Sequence, residues 1–456
     1  MTYKVVIIGG GAAGPKTAAK LRRENKDIEI NLFTQEDIIS YSACGLPYYV
    51  GDIIKNANTL ILRTKEDFEK QNIKIHLKKK CIKVKTKEKV VVIEDLISHN
   101  IYEVSYDILV LATGAIPIIP DIKNINLKNI FTLRTVQDGI NIKDKMFKSK
   151  KVVLIGGGYI SVELLEAFVH NNLQVTLIEK NNQILKMFDE DFAKEIENHI
   201  TQKDGDKVKI LTNEQVIEFI GNENNEVTMV KTASGKIIET DFVILGTGVR
   251  PNTDFLIDSD IKLGVYNSIK VNNIQRTSIM GIYAVGDCTD NFNLITNRYT
   301  WVPMGSTANK EGRCAAINIA GGNCRFDGIL NSTITRYFNY TISIIGLSFN
   351  QAQKLGFQPE FAIIHKRDKA GYMPDVGTMS LKIVADKNTH TILGIQGIGE
   401  GDVNQRINTI IPAILSKIKL ESLINLDVPY APPYSPAIDP VLNAVQIVYN
   451  KIIETQ

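Results

Sequence analysis

Cys44 sits in the segment Ser40-Tyr41-Ser42-Ala43-Cys44-Gly45-Leu46-Pro47-Tyr48, shortly after a strand–helix–strand unit opened by the turn Gly9-Gly10-Gly11-Ala12-Ala13-Gly14. A lone thiol close behind a nucleotide-binding unit points to sulfur chemistry against a redox cofactor. Position 49, where a C-x4-C redox pair would place its second cysteine, is Tyr49. A catalytic Cys44 therefore takes its second sulfur from a substrate or cycles through a sulfenic acid. Cys81, Cys288, Cys314 and Cys324 are irregularly spaced, form neither a disulfide framework nor a metal pattern, and are expected as buried thiols. No metal site is expected.

The second kind of chemistry is phosphate recognition. Gly9, Gly11 and Gly14, with Ala12 and Ala13 between them, follow the apolar run Lys4–Ile8; Gly156 and Gly158, with Tyr159 and Ile160, follow the apolar run Lys151–Ile155. Glycines there permit a tight turn and bring a pyrophosphate close to a helix N-terminus. One such turn is a weak signal. Two, each between an apolar strand and a helix and 147 residues apart, predict two dinucleotide sites. Glu179 ends the strand after the second turn, 21 residues beyond Gly158. An acid there accepts from a ribose 2′-OH and repels a 2′-phosphate, which favours NADH over NADPH; a surface Glu beside Lys180 is the plain alternative.

The elements that must position these residues follow from apolar patterning. Helices are expected from Ala13 to Glu24 and from the second turn to Asn171, with strands Ile28–Phe33 and Gln174–Glu179 closing each unit. Two further apolar strands end in Thr-Gly, at Ala112-Thr113-Gly114 and Gly246-Thr247-Gly248, and a third ends in Gly286-Asp287. Such continuous apolar runs suit parallel strands buried on both faces. Beyond Cys324, strands at Thr333–Phe338, Ile342–Leu347, Glu360–His365, Thr378–Ala385 and Ile392–Gly397, then helices at Asp402–Leu415 and Pro440–Glu454, read as a separate α+β domain. The Pro-rich stretch Val428–Pro436 is expected as a rigid, mostly extended loop. The chain has 456 residues, 44% hydrophobic and 23% charged, with a net charge of +3, too small to argue for nucleic acid or a membrane surface. No apolar run reaches the roughly 18 residues needed to cross a bilayer. With the first residues running straight into a strand, no signal peptide and a cytoplasmic setting are expected.

Together these features resemble the pyridine nucleotide-disulfide oxidoreductase family over nearly the whole chain. Gly9–Gly14, Ala112-Thr113-Gly114 and Gly286-Asp287 match its FAD motifs; Gly156–Ser161 and Gly246-Thr247-Gly248 match its NAD(P)H motifs. The resemblance implies an α/β fold with two Rossmann-like domains, for FAD (1–118 and 246–325) and NAD(P)H (119–245), and a C-terminal α+β dimerisation domain (326–456). The Cys44 segment narrows it to the single-cysteine branch of coenzyme A-disulfide reductases, NADH oxidases and NADH peroxidases. Where the oxidases and peroxidases usually carry a His, this chain has Ala12. The disulfide reductases carry two tyrosines near the disulfide, matched by Tyr372 in Gly371-Tyr372-Met373-Pro374 and Tyr430 in Tyr430-Ala431-Pro432-Pro433. Arg22, Ser40 and Arg63 fall where that subgroup contacts coenzyme A. Departures are Ser161 for Gly, Thr34 where many members place an acid on the FAD ribose (with Glu36 as a substitute), and Met373 and Asp375.

The resemblance implies an FAD-dependent NAD(P)H:disulfide oxidoreductase that reduces coenzyme A disulfide or a related persulfide or polysulfide. Asp287 binds the ribitol, Tyr159 covers the nicotinamide side, Glu163 orders that site, and Gly248 lies in the NAD motif. A helix N-terminus near Cys44 is expected to lower its pKa, and coenzyme A to pair with it. Tyr430, or its rival Tyr434, reaches Cys44 of a second subunit in a homodimer. The alternative enzyme is an NADH oxidase or peroxidase working through sulfenic acid. A reading from another class is a redox-sensing or electron-relay partner that docks through its Pro-rich loop.

Overall fold

A computed structural model describes residues 3–454. Two five-stranded parallel sheets form its first two units. In the first, Lys4–Ile8 is flanked by Glu29–Phe33 and Ile108–Leu111, with Ile73–His76 and Ile282–Ala284 at the edges. In the second, Lys151–Ile155 lies between Gln174–Ile178 and Phe242–Leu245, with Val208–Leu211 and Ile130–Phe131 outside. Residues such as Val5, Ile7, Val153 and Leu154 are fully buried, as strands covered on both faces require.

The chain passes between the sheets through two short strands, Ala115–Pro117 and Val249–Pro251, which pair antiparallel. The two Thr-Gly turns pin this crossing reciprocally. Thr113 Oγ1 donates to the Asn252 carbonyl at 2.7 Å, and Thr247 Oγ1 donates to the Ile118 carbonyl at 2.6 Å.

The C-terminal unit is an antiparallel sheet with spatial order Thr333–Tyr337, Tyr340–Gly346, Ile392–Gly399, Thr378–Asp386, Pro359–Arg367. Helix Pro440–Glu454 buries Val441, Ala444, Val445, Val448 and Ile452, one apolar stripe, and Asp439 caps it by accepting from Val441 N–H at 2.8 Å.

Two expectations change. The helix at 402–415 is two pieces, Val403–Asn408 and Ile411–Leu415, because Pro412 lacks an N–H and its ring would clash with the carbonyl one turn back. The Pro-rich stretch is not extended throughout. It turns at Pro432–Tyr434, where Tyr434 N–H donates to the Ala431 carbonyl at 2.9 Å.

Candidate active site

Both Gly-rich turns have the shape of a dinucleotide cradle. Gly9 (φ +122°) and Gly156 (φ +98°) adopt backbone that disfavours a side chain, and a Cβ on either would fall 2.0 Å from the Ala112 carbonyl oxygen or 2.4 Å from that of Gly246. Gly11 and Gly158 face open space instead, with nothing within 4 Å of a built Cβ. That pairing of a backbone-tight first glycine with an open third position fits a pyrophosphate at each helix N-terminus. Ala12 is exposed beside Gly11 and leaves the opening clear, while Ala13 and Gly14 are buried in the helix start. Ser161 is buried against Gly246, so its small side chain keeps the second helix close to its sheet.

The acids are placed unevenly. Glu179 is buried at the strand tip, and its Oε2 accepts from Gly157 N–H at 2.6 Å, directly on the second turn. Thr34, the corresponding residue of the first unit, is buried against Gly10 and offers no carboxylate. Glu36 hydrogen-bonds Tyr41, and lost hydration raises its pKa. Asp287 ends the edge of the first sheet, and its Oδ2 receives Arg134 Nη2 at 3.0 Å.

Cys44 lies in a short 3-10 turn, Ala43–Gly45, directly before helix Leu46–Val50. Cys44 is exposed as a residue, while its sulfur faces the site wall: a Cβ built on Gly305 would sit 3.8 Å from it. Gly305 begins the long helix Gly305–Ile319, which packs on Ala13–Glu24 through Gly312, where a Cβ would meet the Ala13 carbonyl at 2.8 Å. The thiol pKa is raised. The walls around it strip hydration, the carboxylates of Glu163 and Asp287 push the same way, and Arg134 opposes them. The expected lowering fails because lost hydration dominates and two carboxylates add to it, while a helix terminus offers only about half an elementary charge against them.

The second unit closes on this site from the other side. Tyr159 hydrogen-bonds Thr333 and its phenol is pushed up to about 12 by burial. Glu163 accepts from Thr335 Oγ1 at 2.9 Å, and burial raises its carboxyl. Ile160 is exposed beside them, and Gly248 (φ +100°) stands against Ile118.

The other residues singled out from sequence separate. Ser40 is held in left-handed backbone (φ 57°), with its N–H on the Gly10 carbonyl and its carbonyl on Leu62 N–H, both 2.8 Å. Arg63 is adjacent and covers the Phe68 ring at 5.8 Å. Arg22 instead turns inward, with Nη1 on the Lys26 carbonyl and Nη2 on the Asn72 carbonyl at 2.7 Å, closing the end of its own helix. Tyr372 and Tyr430 are neighbours on an exposed face, 75% and 52% accessible; Tyr434 is equally open.

Two residues went unnoticed in the sequence. Arg134 bridges to Asp287 from the second unit. Glu311, fully buried, accepts from Gly286 N–H at 2.6 Å and Asn291 Nδ2 at 2.8 Å, holding the Gly286-Asp287 turn from behind. Arg134 directly precedes the capping sequence Thr135-Val136-Gln137-Asp138, which marks a helix start but not an ion pair, and Glu311 lies in the polar run Ala-Asn-Lys-Glu-Gly, which reads as solvent-facing. Among the described residues no group of His, Cys, Asp and Glu could hold a metal, and no helix is long and apolar enough to cross a membrane.

Comparison with known proteins gives this geometry relatives. The family model described as pyridine nucleotide-disulphide oxidoreductase matches residues 3–312, and that for its dimerisation domain matches residues 332–441. An NADH oxidase of Methanocaldococcus jannaschii is 33% identical, over 98% of this chain and 99% of its own. A CoA-dependent NAD(P)H sulfur oxidoreductase of Pyrococcus furiosus is 32% identical, over 96% and 97%. The solved NAD-dependent persulfide reductase of A. fulgidus superposes with a TM-score of 0.95 at 33% identity, covering 99% of this chain and 84% of that one.

Proposed function

The chain belongs to the pyridine nucleotide-disulphide oxidoreductase family, and from that premise we propose that it passes electrons from NADH to a coenzyme A disulfide, persulfide or polysulfide through Cys44. The observation that carries this reading is the place of Cys44. It is an exposed cysteine between the first unit's helix at Gly305 and the second unit's Glu163, with no other thiol at redox-pair spacing. FAD, held by Gly9–Gly14, Thr113-Gly114 and Asp287, would supply the two-electron link between nicotinamide and sulfur. Glu179 would receive the ribose hydroxyls of NADH.

At the sulfur, the deprotonated fraction of Cys44, kept small by the raised thiol pKa, attacks one sulfur of RS–SR′. The S–S bond breaks, a Cys44–SR bond forms, and R′S⁻ leaves. Tyr430, beside Tyr372, donates the proton that makes R′SH. Two electrons and a second proton then return Cys44 and release RSH, so that the sum is RSSR′ + NADH + H⁺ → RSH + R′SH + NAD⁺. Ser40 and Arg63, beside the Cys44 segment, would meet the nucleotide end of coenzyme A; Arg22 contributes there only if its helix-closing bonds open.

We place the tyrosines of one subunit of a homodimer at Cys44 of the other, because both hydroxyls are exposed on the unit that matches the dimerisation domain. The free thiols suit a reducing, cytoplasmic setting. An oxidase reading is supported by the 33% identical NADH oxidase of Methanocaldococcus jannaschii. Anaerobic turnover of coenzyme A disulfide by the wild type, lost in a yellow, FAD-retaining Cys44→Ser variant, is the expected result. Turnover retained in that variant rejects the role of Cys44; oxygen consumption without disulfide turnover favours the oxidase.

A further inference from the structure

We propose that Arg406 is the positioning residue that sets the Tyr372–Tyr430 pair, an inference that rests on the proton-donor role given above to those hydroxyls. Arg406 lies in helix Val403–Asn408 with 14% of its side chain exposed. One guanidinium reaches both tyrosine-bearing loops. Its Nη2 donates to the Asp368 carbonyl at 3.0 Å, four residues before Tyr372, and to the Tyr434 carbonyl at 2.8 Å, four residues after Tyr430. Its Nη1 donates to the Asp439 carboxylate, which caps helix Pro440–Glu454. A further tie joins the loops, from Ala370 N–H to the Pro432 carbonyl at 3.2 Å.

The arrangement needs a planar fork. Guanidinium nitrogens present several donors at fixed angles, so three acceptors on three segments can be held at once. Nη2 alone already holds both loop carbonyls while Nη1 holds Asp439, so a lysine, with one nitrogen on a differently shaped stem, can serve the carboxylate or the two carbonyls but not all three acceptors at once. The tyrosine side chains themselves are exposed, so the loop backbones decide where the hydroxyls stand. Arg406 is held by Asp439 and the two loop carbonyls and acts through the loops.

The test uses the FAD-loaded, full-length protein, with NADH and coenzyme A disulfide as probes, comparing wild type, Arg406→Lys, Tyr430→Phe and the double variant. Arg406→Lys should stay dimeric and accept electrons from NADH at the wild-type rate, while kcat for the disulfide falls about tenfold, the scale of a catalytic group misplaced by under an ångström. The double variant should be no slower than Tyr430→Phe, because Arg406 acts through that hydroxyl. An unchanged kcat in Arg406→Lys beside a slowed Tyr430→Phe overturns the positioning role alone. Multiplying losses in the double variant, or loss of the dimer in Arg406→Lys, also overturn it. A normal kcat in Tyr430→Phe removes the tyrosine reading and this inference with it.

Discussion

We propose that Glu179 sets the choice of nicotinamide cofactor. Its carboxylate already grips the turn through Gly157 N–H, and Asn181 N–H donates to its other oxygen at 2.8 Å. A 2′-phosphate arriving there would face a buried carboxylate that already holds the turn. Replacing Glu179 with Ala and Asn181 with Arg removes that repulsion and adds a fork suited to phosphate. We expect the NADPH:NADH ratio of kcat/KM to rise by about tenfold or more, equivalent to about 1.4 kcal/mol. A wild type that already prefers NADPH contradicts the assignment.

The helix Gly305–Ile319 links the candidate thiol to the Gly286-Asp287 turn, and Glu311 is its pivot. Burial pushes the Glu311 carboxyl up to about 8, with Asp287 adding to the rise. An acid whose folded pKa is raised binds its proton more tightly in the native state. Its contribution to stability is therefore complete below the ordinary value of about 4.3 and is lost as pH rises toward 8. Glu311→Gln cannot ionise and keeps a carbonyl acceptor for Gly286 N–H. Relative to wild type, its Tm should gain steadily between pH 5 and about 8. Parallel Tm curves for the two proteins across that range would show that Glu311 does not titrate there.

A shared site between subunits makes a prediction that no single chain can satisfy. In a heterodimer of one Cys44→Ser and one Tyr430→Phe subunit, a site built across the interface leaves one Cys44 facing one intact Tyr430. The other site carries both defects. Disulfide turnover per dimer should then be about half of wild type, as symmetry of an isologous interface requires. If each site is built within one subunit, the same heterodimer has no intact site, and its rate should not exceed that of a heterodimer pairing the Tyr430→Phe/Cys44→Ser double variant with a Tyr430→Phe subunit.

The parallel strands, both Gly-rich turns, the Thr-Gly junctions and the isolation of Cys44 were legible in the sequence. Each is a short-range feature: an apolar run, a backbone position only glycine tolerates, or a spacing along the chain. The break at Pro412 and the turn at Pro432–Tyr434 are local too, yet a wider pattern masked them. What the linear order could not contain are contacts between distant segments. Arg134 meets Asp287 across 153 residues, and Glu163 meets Thr335 across 172. The raised pKa of Cys44 is of the same kind, since it depends first on how far folding strips water from the sulfur and then on the Glu163 and Asp287 carboxylates brought near it. Arg22 makes the point in reverse. Its position suits a phosphate ligand, but the carbonyl of Asn72, 50 residues on, claims its guanidinium, because a partly buried cation takes the acceptors that tertiary packing supplies.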